Sequence, residues 1–183
     1  GAVFAPPANG MNGNGFILTW MVLGPFTGAT CDLGDSAIRA DWLRESGAGR
    51  RQTDMEWGAG DVVNTSFAVA RSTGLHQNSP TNTPTVEEYI SFDDTIDFDG
   101  AVWPPNPDNV MGYAFTYVDN VTGSNLNASI GCASDDAIAV MINGTHVHVN
   151  DACRGVGGAG SIQDTASVTM RPGKNLVAVK VFE

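Results

Sequence analysis

The chain has 183 residues, of which 42% are hydrophobic and 16% charged, and its formal net charge at pH 7 is −11. This length suits a single domain with a well-buried core. A strongly acidic surface disfavours nucleic acid and anionic membrane surfaces as partners and is compatible with cation binding. No apolar run approaches the roughly 20 residues that span a bilayer, so membrane insertion is not expected.

Both ends of the chain resemble the edges of an excised domain. Residues 1–15 are rich in Gly, Asn, Ala and Pro and look like a linker, and the final residues stop inside a strand-like run. We therefore expect residues 16–183 to be one domain that is covalently linked to other domains of a longer chain. The missing signal peptide then does not argue against secretion.

Strands separated by turn signals recur along the chain, and helix signals are almost absent. The predicted strands are residues 16–23, 62–70, 89–92, 95–98, 110–118, 126–132, 167–170 and 175–182. Gly24-Pro25 is expected to end the first strand, and Pro172-Gly173 to turn the last two strands into a hairpin. The pattern predicts an all-β fold, an antiparallel β-sandwich.

One stretch between the first two strands predicts a helix. Ser36 could cap a helical piece that runs to Ser46 and carries Trp42 and Leu43 in a modest apolar stripe. Farther along, the polar residues 72–85 predict a long loop, either functional or mobile.

The densest polar group of the chain is predicted at the open end of one β-hairpin. Asn143-Gly144 is a strong hairpin signal, because both central residues of a type I′ turn need φ > 0, and alternating arms extend over residues 137–149. The residues that this hairpin brings together are Ser134, Asp135, Asp136, Asn150, Asp151, Cys153 and Arg154. This end of the hairpin is the first place to expect a site.

The chain has three cysteines, Cys31, Cys132 and Cys153. The hairpin puts Cys132 and Cys153 at the same end of the same pair of strands, which predicts a disulfide between them and leaves Cys31 free. Three buried thiols are the alternative. No Cys-x-x-Cys motif or Cys/His cluster in the sequence suggests zinc.

Three segments carry a resemblance to a known family. Residues 20–26 (WMVLGPF) resemble the opening W-x-x-x-G-P-F of jelly-roll domains in large secreted bacterial proteins, many of them carbohydrate-active. Residues 134–155 (SDDAIAVMINGTHVHVNDACRG) and 171–181 (RPGKNLVAVKV) are similar to the hairpin and closing strand of those domains. The resemblance implies a galactose-binding-like, jelly-roll sandwich and a non-catalytic role.

The hairpin segment also resembles the protective-antigen-type domain, which includes yeast adhesin lectins. In those lectins a pair of Asp residues, joined by a cis peptide bond, coordinates Ca²⁺ and the hydroxyl groups of a sugar together. The resemblance implies that Asp135 and Asp136 are the Ca²⁺ and glycan ligands. The usual Gly after the pair is replaced here by Ala137.

The chemistry of the residues allows two interpretations of this Asp pair. Ca²⁺ takes six to eight hard oxygen ligands, and Asp135 and Asp136 with Asn150 or Asp151 and backbone carbonyls could supply them. Alternatively, Ser134 and Asp135 bind backbone amides and close a tight turn. A second acidic run could also ligate calcium, and a solvated face is the alternative there; its members are Asp93, Asp94, Asp97 and Asp99.

Catalytic and transition-metal chemistry are weakly indicated. His146 and His148 are expected on one face of a strand, close enough to share a metal, but no third ligand is evident. Val147 and Val149 are expected on the other face. No G-x-S-x-G elbow occurs, and adjacent loop Asp residues point to one spot and do not flank a glycosidic bond. We therefore do not expect an enzyme.

The tryptophans are the remaining candidate ligand-binding residues. Trp42, Trp57 and Trp103 lie in or beside predicted loops, where an exposed indole offers a flat platform to a sugar ring; packing in the core is the alternative. Trp20, inside an apolar strand, is expected in the core. Arg154, beside the paired carboxylates, is expected to contribute to ligand binding.

The predicted function is that of a carbohydrate-binding module, non-catalytic, within a larger secreted or cell-surface protein that acts on polysaccharides. Its expected partner is a polysaccharide or other glycan, and its expected cofactor is Ca²⁺. The alternative is a structural spacer or protein-interaction domain that shares the sandwich but binds no glycan.

Overall fold

The structure, a computed structural model, describes residues 11–43, 51–58, 86–91, 94–98, 102 and 108–183. These residues form eight β-strands, all paired antiparallel, and almost no helix. The strands are β1 (Thr19–Thr27), β2 (Glu87–Ile90), β3 (Val110–Asn120), β4 (Leu126–Cys132), β5 (Ile138–Ile142), β6 (Thr145–Asn150), β7 (Asp164–Met170) and β8 (Gly173–Phe182). The predicted all-β antiparallel sandwich is confirmed.

The strands form two sheets of unequal size. Six strands make one sheet in the order β2-β1-β3-β8-β5-β6, and β4 and β7 make a two-stranded sheet. One core lies between the sheets and includes Trp20 and Val168. A second core covers the opposite face of the large sheet, where the segment with Trp42 and Trp57 packs on the aromatic side chains of β3. The central strands are therefore buried on both faces.

Strand β1 continues through Gly24-Pro25, where the sequence predicts its end. Leu23 pairs with Tyr113 and Phe26 with Met111, so β1 has one residue more than β3 between these two pairs. Proline lacks a backbone N–H, and such an irregularity is one of the few places where a strand accepts it.

The hairpin of β5 and β6 turns at Asn143-Gly144, as predicted, with φ of 51° and 79°. A β-bulge interrupts its second arm, because Val140 pairs with His148 and Met141 with His146, which leaves Val147 opposite no residue. The extra residue reverses the alternation of the side chains.

The bulge corrects two predictions about β6. Val147 packs in the core between the sheets, whereas Val149 packs against the core on the other side of the large sheet. His148 faces β7, with Nε2 3.2 Å from Asp164 Oδ2. His146 faces the other way, where burial and the charges of Lys180 and Arg39 lower its pKa. The two histidines do not share a metal.

The last two strands do not form the predicted hairpin. β7 pairs with β4, whereas β8 pairs with β3 and β5 in the other sheet, so the chain changes sheets at Arg171–Pro172. The Asn175 side chain stabilises this crossing, since Oδ1 accepts from Arg171 N at 3.0 Å and Nδ2 donates to Arg171 O and Gly173 O at 2.8 Å.

The predicted helix is shorter than expected. Helix α1 covers Asp35–Arg39 and begins after Gly34, so Ser36 lies inside its first turn and provides no side-chain cap. The chain leaves the helix at Ala40, and Trp42 and Leu43 are buried in non-helical backbone.

Other predicted elements are corrected or lie outside the described residues. Residues 95–98 contain no strand. In the predicted linker, residues 11–15 form a turn, with a bridge from Met11 to Ile17 and a 2.5 Å hydrogen bond from Asn12 to Asp94. The strand at 62–70, the loop at 72–85 and residues 1–10 lie outside the described part of the chain.

A lysine is fully buried in the aromatic core above the large sheet. Lys180, on β8, donates from Nζ to Ala40 O and to Gln52 Oε1, the latter at 2.9 Å, and Nζ lies 5.5 Å from the centre of the Tyr113 ring. The Tyr113 hydroxyl donates to the same Gln52 oxygen at 2.9 Å. The network ties β3 and β8 to the segment that covers them.

Candidate functional site

The loop before β5 presents the paired carboxylates. The Asp135–Asp136 peptide bond is cis, which is the geometry that the resemblance implies. Asp136 Oδ1 accepts from the Arg154 backbone N–H at 2.8 Å, and the Asp136 N–H donates to Phe182 O at 2.7 Å. The Ser134 hydroxyl donates to Asp136 O at 2.7 Å. Side-chain bonds thus close the turn, with Asp136 as the carboxylate that accepts the backbone amide.

Asp135 remains exposed at the surface of this loop. Gly155 lies close to it on the opposite arm, where an added β-carbon would be 3.8 Å from Asp135 Oδ2. The pair therefore lies against Arg154–Gly155, three residues beyond the Asn150-Asp151 segment that the sequence analysis placed beside it.

Asn150 and Asp151 lie at the same end of the hairpin but face other groups. Asn150 Oδ1 accepts from the Ala152 N–H at 2.9 Å, which closes a local turn. Asp151 Oδ2 lies 3.9 Å from the position of a β-carbon on Gly34. Among the described residues, no trio of Asp, Glu, His or Cys ligand atoms within 4.8 Å of one another includes Asp135, Asp136 or Asp151. Any cation held by the Asp pair would need backbone carbonyls to complete its coordination.

Arg154 is turned inward, which differs from its predicted role in ligand binding. One terminal nitrogen, Nη2, donates to Ser134 Oγ at 3.0 Å and to Asp164 Oδ2 at 2.5 Å. The side chain is only 17% exposed. Its guanidinium therefore holds the two arms of the site together and does not face outward.

A second polar cluster, whose members the sequence analysis did not group together, lies beside Arg154. Cys132 at the end of β4 is paired directly opposite Asp164 at the start of β7, and His148 approaches from β6. The hydrogen bond from Arg154 lowers the pKa of the Asp164 carboxyl. Burial, followed by the nearby Asp164 charge, raises the pKa of the Cys132 thiol to about 11.

The disulfide links different cysteines from those predicted. Cys31 and Cys153 are joined, with their Cα atoms 5.1 Å apart, and Cys132 is free. The prediction failed because Cys132 ends β4, which belongs to the small sheet and faces Asp164. Cys153 lies beyond β6 and meets the 3-10 turn of Cys31–Leu33.

Two of the three candidate sugar platforms are core residues. Trp42 is 4% exposed and packs edge-on against Phe182, with ring centres 5.2 Å apart. Trp57 is 2% exposed and stacks on Phe115 at 4.4 Å. Neither indole presents a face to solvent, so the ligand-binding prediction is wrong for both. Trp20 is in the core as expected, and Trp103 lies outside the described residues.

The second acidic run is only partly described. Asp94 accepts the Asn12 hydrogen bond and Asp97 is exposed, whereas Asp93 and Asp99 lie outside the described residues. Since residues 95–98 are not a strand, Asp97 does not lie on the strand face that the sequence predicts.

Comparison of the chain with protein-family models, with curated proteins and with solved structures gave no significant match. In the part of the chain that the structure describes, no helix has both the length and the apolar character needed to cross a membrane.

Proposed function

We propose that this domain is a calcium-dependent, non-catalytic carbohydrate-binding module, and that it belongs to a larger secreted or cell-surface protein. The observation that carries the proposal is the loop of Asp135 and Asp136, in which Asp136 binds the Arg154 amide and Asp135 stays exposed beside it. The resemblance to jelly-roll and protective-antigen-type domains supports the same interpretation.

The ligand chemistry of the Asp pair favours a hard cation. Two carboxylates in adjacent residues repel one another, and a bound cation removes that cost. Ca²⁺ prefers carboxylate and carbonyl oxygens and takes more ligands than this loop supplies, so positions remain for sugar hydroxyls. The net charge of −11 favours accumulation of cations at the surface.

The disulfide supports the proposed location. Cys31 and Cys153 are joined across 122 positions of the chain. Disulfides persist in secreted and cell-surface proteins and are rare in reducing compartments.

Calcium is expected to stabilise the domain through Asp135. A ligand that binds only the folded state adds about 2.7 kcal/mol at a hundredfold excess over its Kd, which corresponds to a rise of about 5–10 °C in Tm for a domain of this size. Thermal melts in excess EGTA and in millimolar CaCl₂ measure this difference. Asp135→Asn keeps the size of the side chain and is expected to abolish the shift.

Asp108→Asn is the matched control, because Asp108 is also an exposed carboxylate but lies before β3. This variant should retain the full calcium shift. A wild-type Tm that does not respond to calcium would contradict the proposed cation site. A shift that persists in Asp135→Asn would place the cation elsewhere.

Glycan binding is expected to require both calcium and Asp135. On an array of plant, algal and host polysaccharides, the wild-type domain should bind in CaCl₂ and lose binding in EGTA, whereas Asp135→Asn should fail in both. Absence of binding to every glycan, with a calcium shift intact, would favour the spacer or protein-interaction role. Glycan binding that persists in EGTA would show that the domain binds glycans without calcium.

A further inference from the structure

We propose that Cys132, His148 and Asp164 form a second metal site, one that takes a divalent transition metal of the Zn²⁺ type and joins the two sheets. The site shares no ligand residue with the Asp135–Asp136 pair and differs from it in ligand chemistry, although Arg154 contacts both. Its three ligand atoms, one each from a thiol, an imidazole and a carboxylate, all lie within 4.8 Å of one another.

Two of the three ligand atoms are spaced like ligands around one ion. Zn²⁺ binds nitrogen and oxygen ligands at about 2.0–2.2 Å and sulfur at about 2.3 Å, so tetrahedral ligand atoms lie roughly 3.3–3.6 Å apart. His148 Nε2 and Asp164 Oδ2 are 3.2 Å apart. The Cys132 sulfur lies within 4.8 Å of both atoms, and a bound metal would draw it closer.

The donor set selects the class of metal. A thiolate is a soft ligand and an imidazole is a typical ligand of zinc, copper and iron, whereas Ca²⁺ and Mg²⁺ prefer oxygen alone. On binding, the Cys132 thiol gives its proton to solvent and Sγ forms the bond to the metal. Water would occupy the fourth position, as in sites with three protein ligands.

Arg154 has a supporting position in this arrangement. Carboxylates that ligate metals are usually held by a further hydrogen bond, and Arg154 Nη2 donates to Asp164 Oδ2 at 2.5 Å. Its positive charge also opposes the metal, so the site is expected to be weaker than one with an additional anionic ligand.

The fold explains what such a metal would join. Cys132 and Asp164 face each other across the small sheet, on β4 and β7, whereas His148 belongs to β6 at the edge of the large sheet. A shared ion would therefore connect the two layers of the sandwich at one edge. The bulge at Val147 is required, because it turns His148 toward β7 and His146 away.

Titration with Co²⁺ tests the site with the oxidised, disulfide-intact domain in buffer that contains CaCl₂. The wild type should develop two signals: a thiolate-to-cobalt charge-transfer band in the near-ultraviolet, and the visible absorption bands of tetrahedral cobalt. Zn²⁺ should displace the cobalt and remove both signals. Cys132→Ser should lose the charge-transfer band. His148→Ala should lose at least about a hundredfold in Zn²⁺ affinity by calorimetry, since even outer-shell changes cost 10–100-fold.

His146→Ala is the matched control, a histidine on the same strand that faces the opposite side of the sheet, and it should bind Co²⁺ and Zn²⁺ as the wild type does. Circular dichroism checks that each variant is folded. A further experiment needs no variant: bound Zn²⁺ should protect the Cys132 thiol of the wild type from an alkylating reagent. The proposal is overturned if the wild type shows no charge-transfer band, if Zn²⁺ fails to protect the thiol, or if His146→Ala weakens binding as much as His148→Ala.

Discussion

The domain is expected to gain roughly 2 kcal/mol of stability between pH 7 and pH 9 from the single buried lysine, Lys180. Burial lowers the pKa of Lys180 from 10.5 to about 7, and the nearby Asp41 charge offsets only part of this shift. The side chain is fully buried, so solvent screening is weak. Protonating Lys180 costs about 5 kcal/mol more in the folded protein than in the unfolded chain, because the pKa falls from 10.5 to about 7 and each pKa unit corresponds to about 1.4 kcal/mol.

The direction follows from proton binding in the two states. Between about pH 7 and pH 10.5 the unfolded chain holds a proton on Lys180 that the folded chain has released, so stability rises with pH in this window. Below pH 7 Lys180 is protonated in both states, so the full cost of burying its charge lowers stability there. The pKa of Tyr113 and of the Cys132 thiol are both raised, which lowers stability at still higher pH, so pH 7 to 9 is the useful range.

Urea unfolding at a series of pH values, compared between wild type and Lys180→Met, measures the contribution. The free energy of unfolding should increase less steeply with pH in the variant than in the wild type. The difference between the two slopes reports on Lys180, because all other titrating groups are common to both proteins. Lys174→Met, an exposed lysine on the same strand, should keep the wild-type slope. Equal slopes in wild type and Lys180→Met would show that the buried amine titrates as in water.

Removal of the Cys31–Cys153 disulfide is expected to lower stability by up to about 5 kcal/mol. The bridge closes a loop over a sequence separation of 122, and the chain-entropy relation gives about 5 kcal/mol for a loop of that length, with losses of 2–5 kcal/mol typical. For a domain of this size the loss corresponds to a decrease of about 5–20 °C in Tm. Calorimetry on Cys31→Ala/Cys153→Ala measures it.

Cys132→Ala is the control, since it removes the free thiol and leaves the bridge, and we expect it to cost less than about 1.5 kcal/mol. Peptide mapping without reductant should recover Cys31 and Cys153 in one linked pair. If Cys132→Ala were instead the destabilising variant and Cys31→Ala were neutral, the pairing of Cys132 with Cys153 would be correct.

Several features of this protein follow from the sequence alone, because they depend on neighbours along the chain. Asn143-Gly144 turns the β5–β6 hairpin with both residues at positive φ, as the dipeptide predicts. Strand β4 has the predicted bounds, and the aromatic residues of β3 share one face as alternation requires. Turn chemistry and side-chain period are local properties, so one segment is enough to determine them.

Other features were decided by pairing between distant strands. β7 and β8 follow one another in sequence but belong to different sheets, so the short connection at Pro172-Gly173 gave the wrong pairing. One bulged residue in β6 separated His146 from His148. A bulge depends on the register with the partner strand, which alternation within a single segment does not contain.

The site residues show the same division. The hairpin turn is enough to bring Asp136 against Arg154, because the two residues flank its arms. The partners of Cys132 come from β6 and β7, and the partner of Cys153 precedes α1. Trp42 and Trp57 lie in segments predicted as loops, but both are buried in the core, because these segments cover the apolar face of the large sheet that the small sheet leaves open. Sheet order and layer packing decide such contacts, and both are set by the free energy of the whole domain.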